Sequence, residues 1–323
     1  MTQIVAADIG GTHARFAIAT LDGKAVAGLG EPVTLRTSEH ASFETAWGEF
    51  ERLSGGALPN ALAMAVAGPV GGDLLQLTNN PWVIRPVQLR ETVAAGGLTV
   101  VNDFGAVAHA VASLGGEAFQ QLGWPDRALP AEGLTTIVGP GTGLGVAALL
   151  RRRDGPYDVI ETEGGHMDFA PLDSLEDRIL VHLRNKFRRV SVERLISGRG
   201  LMNIYESLAA IEGRPPAIGD DKALWAAALA GGDSLARAAL DRFCLCLGAV
   251  AGDLALAQGA HAVVIGGGVG LRLADHLPRS GFYSRFIAKG RFERRMADIP
   301  VKLITDPQPG LLGAAAAFAH EHN

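Results

Sequence analysis

The chain has 323 residues, 48% hydrophobic and 20% charged, with a formal net charge of −5; that supplies apolar material for one or two sizeable domains. The acidic balance excludes the basic composition usual in a nucleic-acid binder, and two cysteines, Cys244 and Cys246, exclude a disulfide scaffold and fit a reducing, cytoplasmic setting. The opening MTQIVAADIGG has neither a basic stretch nor a long apolar one, so no signal peptide is expected, and charges and glycines break every apolar run before the roughly 20 residues of a membrane span.

In chain order, residues 4–29 read as two β runs joined at Gly10-Gly11, with a second turn at Asp22-Gly23. Asp-Gly flanked by apolar alternation signals a hairpin. Phe43, Ala46, Trp47, Phe50 and Leu53 recur on one side of a helix over 43–53. ALAMAVAGPV (61–70) and LTVVN (98–102) read as strands, and FGAVAHAVASL (104–114) as the helix after the second. Asn102 and Asp103 sit at that junction, where Asp103 is either a helix cap or a group that does chemistry. The pattern then restarts. Residues 135–164, TTIVGPGTGLGVAALLRRRDGPYDVIETEG, give strand, glycine turn, strand, turn and strand, with RRRDG (151–155) as a solvated hairpin tip. Ser174 is placed to cap a run holding Leu175, Ile179, Leu183 and Phe187, and Ser191 to cap the next. ALDRFCLCLGAVAGDLALAQG (239–259) is a long apolar helix, AVVIGGGVG (262–270) a strand into a glycine turn, PVKLITD (300–306) a strand and GLLGAAAAFAHEH (310–322) a final helix. The strand–glycine turn–strand unit occurs twice, near residues 8 and 139, so the expected architecture is two similar α/β halves with a cleft between them.

The 42 glycines cluster after β-type runs, in DIGGT, GPGTGLG, EGGH and GGGVG. Two common phosphate motifs fail. No Gly-Lys-Ser/Thr occurs, which removes the P-loop, and five residues on from Gly139 and Gly141 stand Leu144 and Val146, which removes the dinucleotide fingerprint. What remains is a glycine turn between two strands, whose backbone N–H groups can form an anion-binding concavity. The hydroxyls of Thr12 and Thr142 can donate to phosphate oxygens, and Asp8 could hold Mg²⁺ through water. One such turn is an ordinary hairpin; two matching turns and a third cluster at 266–268 favour phosphate.

DIGGTHARFAI, VVNDFGAVA, GPGTGLG, EGGHMDFAP, SVERLISGRGL, VIGGGV and PGLLGAA occur in this order. Over essentially the whole chain they resemble the bacterial glucokinases, hexokinase-type sugar kinases with the two-domain, actin-like ATPase (ribonuclease H-like) α/β fold. The resemblance implies ATP-dependent phosphorylation of D-glucose at its 6-hydroxyl with Mg²⁺, a small domain of residues 1–112 plus 304–323, a large domain of 113–303, and a homodimer. It implies that Asp103 is the general base and, with Asn102, Glu163, His166 and Glu193, binds the sugar. By the same resemblance Asp8, Gly10, Gly11 and Thr12 face the phosphates, as do Gly141, Thr142 and Gly143, while Gly267 and Gly268 lie near the nucleotide. The chain departs from the family in placing His13 where Asn often follows GGT. It lacks the cysteine-rich zinc motif of a related kinase group, so Cys244 and Cys246 are expected to be core packing.

Phosphoryl transfer needs positioning and charge neutralisation, and a carboxylate at a strand end and helix start stands where ligands collect in α/β sheets. His166 and Asp168 suggest a metal pair, but no third ligand has a convincing spacing. Alternatives keep the fold and change the acceptor, to mannose, fructose or an amino sugar, or change the donor to ADP or polyphosphate. A sugar-responsive repressor would need a DNA-binding segment before DIGGT, which begins at residue 8, and an actin-like filament protein has no need of EGGH.

Overall fold

Strands β1 (Thr2–Ile9) and β2 (His13–Asp22) pair antiparallel from Thr2↔Leu21 to Ile9↔Ala14. The computed structural model describes residues 1–77, 80–124, 126–153 and 155–322. Gly23, at φ 55°, turns the chain into β3 (Ala25–Leu29), and β4 (Val33–Arg36) also pairs with β2. Ser42 and Thr45 form a capping box at the start of α1 (Phe43–Ser54), and Gly55, at φ 78°, ends it. Phe43, Ala46, Trp47 and Phe50 bury the inner face of this helix, with Phe50 stacked 5.2 Å from Phe16. Leu53, expected on the same face, is 48% exposed because it lies beyond the cluster that Phe50 joins. Next come β5 (Ala61–Val66), wholly buried, the short pair β6 (Leu75–Gln76) and β7 (Val83–Ile84), α2 (Pro86–Thr92) with Pro at its start, β8 (Gly97–Asn102) and α3 (Asp103–Ser113).

A second series follows: β9 (Phe119–Gln121), β10 (Gly133–Pro140), β11 (Leu144–Arg151) and β12 (Tyr157–Thr162). Asp154, in the expected 151–155 tip, lies outside the described residues; Arg152 beside it pairs with Asp158 at 2.5 Å. Helices α4 (Ser174–Phe187), α5 (Gly200–Ile211), α6 (Asp221–Ala230) and α7 (Ser234–Gln258) lead to β13 (Ala262–Ile265), α8 (Gly267–Arg272), α9 (Phe282–Ile287), α10 (Glu293–Ala297) and β14 (Val301–Ile304). Cys244 and Cys246 are free thiols buried in α7, among its core-facing apolar residues.

Three local readings are corrected. The cap of α4 is Asp173, which accepts from Glu176 N at 2.9 Å, so Ser174 is the first helical residue. Ser191 makes no cap, and the next α-helix waits until Gly200, because the intervening segment is bonded elsewhere: Val192 N to Met167 O at 2.8 Å and Gly198 N to Gly141 O at 2.7 Å. After β13, where a glycine turn is expected, Gly267 opens a helix.

The chain divides into two compact units, Met1–Gly115 with Asp306–Asn323, and Gly116–Thr305. The first sheet runs β3-β2-β1-β5-β8, with β4 on β2, and the second runs β12-β11-β10-β13-β14-β9. Both are built alike. A three-stranded antiparallel meander is extended from its first strand by two parallel strands, so the same topology occurs twice. The final helix, α11 (Pro309–His322), belongs to the first unit, where Leu311, Ala314, Ala315, Phe318 and Ala319 join Ile4, Ala6 and Ala17 of the sheet. A Cβ at Gly313 would lie 1.7 Å from Ala106 O, so only glycine allows α11 this close to α3. Among the described residues no helix is long and apolar enough to cross a membrane.

Candidate active site

In the first unit the parallel registers Ile9↔Val66 and Val66↔Asn102 bring the 10–12 turn and the Asn102-Asp103 pair to the same C-terminal edge of the sheet. That edge is the usual ligand side of an α/β sheet. The turn is held by its carbonyls. Gly10 O accepts from Asn80 Nδ2 at 3.0 Å, Gly11 O from Thr37 Oγ1 at 3.0 Å, and Thr12 O from Thr37 N at 3.1 Å. Asn80 and Thr37 are both buried. Asp8, just before the turn, pairs through Oδ2 with Arg15 Nη1 at 3.2 Å. Burial pushes the Asp8 carboxyl above its usual range, and the Arg15 guanidinium opposes that shift. Gly310, at the start of α11, leaves room for the same carboxyl: a Cβ there would stand 2.9 Å from Asp8 Cγ.

At the junction of β8 and α3, Asn102 is the helix cap. Its Oδ1 accepts from Phe104 N at 2.9 Å and from Gly105 N at 3.4 Å, while its Nδ2 donates to Gly68 O at 3.1 Å. Asp103 is the first helical residue, half-buried, with its Oδ1 accepting from Phe104 N at 2.9 Å. The start of a helix favours a carboxylate in its ionised form. The cap of α3 belongs to Asn102.

In the second unit EGGH lies flat against the start of β11. A Cβ at Gly165 would be 2.1 Å from Leu144 O, so that position requires glycine, and one at Gly164 would be a tight 3.0 Å from Val146 Cγ1. Glu163 and His166 flank this turn; both are exposed, with Oε2 and Nε2 3.9 Å apart. Asp168 pairs with Arg189 at 2.8 Å, and Arg189 Nη2 also donates to His166 O at 2.6 Å. Asp168 is thus paired with Arg189 and not with His166, and among the described residues no group of three His, Cys, Asp or Glu is placed to hold a metal ion.

Glu193 reaches the other glycine turn. Its Oε2 accepts from Leu144 N at 2.9 Å, and a Cβ at Gly143 would be 2.4 Å from that oxygen. Gly141 N donates to Gly143 O at 2.8 Å, closing the turn as Gly10 N to His13 O does at 2.9 Å in the first unit. Gly267, at φ 75°, packs on Pro140, where a Cβ would meet the carbonyl oxygen at 2.5 Å. So the structure brings 141–143, EGGH, Glu193 and Gly267 together in one unit, and Asp8, 10–12, Asn102 and Asp103 together in the other. The sequence reading missed Arg15, Thr37, Asn80 and Gly310. Arg15 stands inside the quoted DIGGTHARFAI, but Thr37 and Asn80 are 26 and 70 residues from their partners, and no local pattern marks them.

The first unit offers a hydroxyl-bearing glycine turn suited to phosphate and a carboxylate at a helix start; the second offers another such turn and Glu163, His166 and Glu193, side chains able to bond the hydroxyls of a polar ring. A family model described as glucokinase matches residues 5–321. The chain is 63% identical over 321 residues to the glucokinase of Zymomonas mobilis subsp. mobilis, covering 99% of each. A crystal structure of a glucokinase from an Antarctic psychrotroph superposes with a TM-score of 0.86 at 32% identity, covering 98% of this chain and 99% of that one. A ROK family glucokinase from Streptomyces griseus, solved in complex with glucose and AMPPNP, shares the fold, with a TM-score of 0.64 at 20% identity over 97% of this chain and 98% of that one.

Proposed function

The chain belongs to the glucokinase family and catalyses ATP-dependent phosphorylation of glucose, and on that premise we propose that Asp103 is the general base. The observation that carries this is the division of labour at the start of α3: Asn102 makes the cap, and the carboxylate beside it is not required for it. As the 6-hydroxyl oxygen bonds to the γ-phosphorus, its proton passes to an Asp103 carboxylate oxygen and ADP departs as leaving group. Asn102, Glu163, His166 and Glu193 hold the sugar. Gly10, Gly11, Thr12, Gly141, Thr142 and Gly143 bind the phosphates, and Gly267 and Gly268 the nucleotide.

Asp8 fits a magnesium ion held through water. It is a single carboxyl that burial disfavours as an anion, among the described residues no group of three His, Cys, Asp or Glu forms a cage, and Mg²⁺ characteristically takes one or two carboxylates, several waters and substrate phosphates. When bound, the ion neutralises charge on the transferring phosphate. The repeated sheet order supports the actin-like, two-domain reading, with the small domain built from both chain ends. A cytoplasmic homodimer completes the proposal.

The test is ADP release from Mg-ATP by the purified protein with D-glucose, against mannose, fructose, an amino sugar and no sugar. Glucose-dependent turnover that collapses in Asp103→Asn supports the assignment. Turnover with another sugar alone would move the acceptor, and turnover surviving in Asp103→Asn would remove the base.

A further inference from the structure

The turn at 141–143 is held from behind at both ends. Glu193 secures one end through Leu144 N, and Gly198 secures the other by donating its N–H to Gly141 O at 2.7 Å. Gly198 is held in turn by α6, where Trp225 Nε1 donates to Gly198 O at 2.9 Å. The indole is 4% exposed and meets the Phe243 ring edge-on, with centroids 5.4 Å apart. Arg272 places its guanidinium over the Trp225 ring, 5.4 Å from the centroid. Arg272 ends α8, the helix that Gly267 opens against Pro140. One side chain thus reaches both glycine segments assigned to the nucleotide.

We infer that Trp225 is a positioning residue for nucleotide binding, acting through Gly198 on the 141–143 turn and through Arg272 on α8. The inference rests on the assignment of that turn to the phosphates of ATP. A phosphate turn works by the direction of its N–H groups. Gly141 C=O and Thr142 N–H share one peptide plane, so whatever holds Gly141 O also aims Thr142 N–H. Leu144 N, held by Glu193, shares its plane with Gly143 C=O, which fixes the far side of the same turn. Without the indole donor, Gly198 and the Gly141 carbonyl it holds are free to tilt, and the phosphate N–H loses its aim.

Trp225→Phe keeps a ring for Phe243 and Arg272 and removes the donor. The expected result is a KM for ATP raised about 2- to 10-fold, the range one hydrogen bond spans, with kcat and KM for glucose unchanged and Tm lowered only modestly by the smaller buried ring. Gly198→Ala approaches from the other side, because its methyl would stand 3.2 Å from Gly141 O without touching α6. It should raise the same KM, and it decides alone if Trp225→Phe does not fold. Unchanged KM for ATP in the folded variants overturns the inference. So does a joint loss of kcat, both affinities and Tm, which would mark a merely structural role. The underlying assignment is tested separately in the wild type, by amide exchange with and without a non-hydrolysable ATP analogue. Protection at 141–145 together with unaffected variants would leave the phosphate turn standing and remove only Trp225; no protection would overturn both.

Discussion

Two adjacent polar residues, Asn102 and Asp103, divide support and chemistry. A lost cap costs about 1 kcal/mol of stability, and a lost general base costs ~10²–10⁴ in rate. Asp103→Asn leaves Asn102 bonded to Phe104 and Gly105, so kcat is expected to fall by that second factor while glucose binding by calorimetry and the melting temperature stay close to wild type. Asp8 shows the opposite balance. Burial holds its folded pKa above the ordinary value of 3.8, so between those two values the folded chain binds more protons than the unfolded one. Its contribution to stability therefore falls as pH rises through that window and stays low above it. Asp8→Asn escapes this loss: Tm at pH 7 should rise while turnover drops, and a Tm at or below wild type would contradict the burial argument. The sequence marked Asp8, Asn102 and Asp103 as polar residues at strand ends. It could not assign Arg15 to Asp8 or Gly68 to Asn102, because both pairings depend on strand register.

Most elements followed their local signals, but Ser191, with no rival beside it, starts no α-helix, because Val192 N and Gly198 N are bonded to Met167 O and Gly141 O. Where two competed, tertiary contacts decided. Asp173 and Ser174 each have an acidic residue three positions on, Glu176 and Asp177, so either frame suits a helix start. Asp173 is chosen where Arg242 of α7 pairs with its Oδ2 at 2.6 Å, beside the buried Glu176 that Arg242 and Arg285 hold at 2.7 and 2.5 Å. The packing of α3 on α11 buries His109, whose ring faces His320 with centroids 5.9 Å apart. Burial first, then the neighbouring His320, pushes the His109 pKa from 6.5 down to about 4. In that window the folded chain binds fewer protons than the unfolded one. Stability should thus fall as pH drops from 6.5 toward 4, by on the order of 3 kcal/mol if this group acts alone. In denaturant unfolding at several pH values, His109→Gln should show a shallower acid slope, and equal slopes would acquit His109.

At the scale of the whole molecule, the two chain ends serve one core. Leu311, Ala314, Ala315, Phe318 and Ala319 are each at most 5% exposed, and they complete the cluster built on β1 and β2. Burying one Leu or Phe is worth about 1.5–3 kcal/mol, against typical stabilities of roughly 5–15 kcal/mol. A chain ending at Thr305 is therefore expected to lose protection in amide exchange across Met1–Gly115 and to lose activity; protected amides in β1 and β5 would show that α11 is dispensable. The sequence by itself determined the duplicated strand–turn–strand units, the longer strands and helices in their order, the glycine turns near residues 10 and 141 and the family, because those rest on periodicity, turn chemistry and ordered motifs that local residues carry. Only the tertiary structure decided that Asn102 rather than Asp103 caps α3, that Arg189 takes Asp168, that Glu193 reaches Leu144, and that Trp225 stands behind Gly198. Each of these joins groups whose meeting depends on register, packing and close approach, and none of those three is written in the spacing of neighbouring residues.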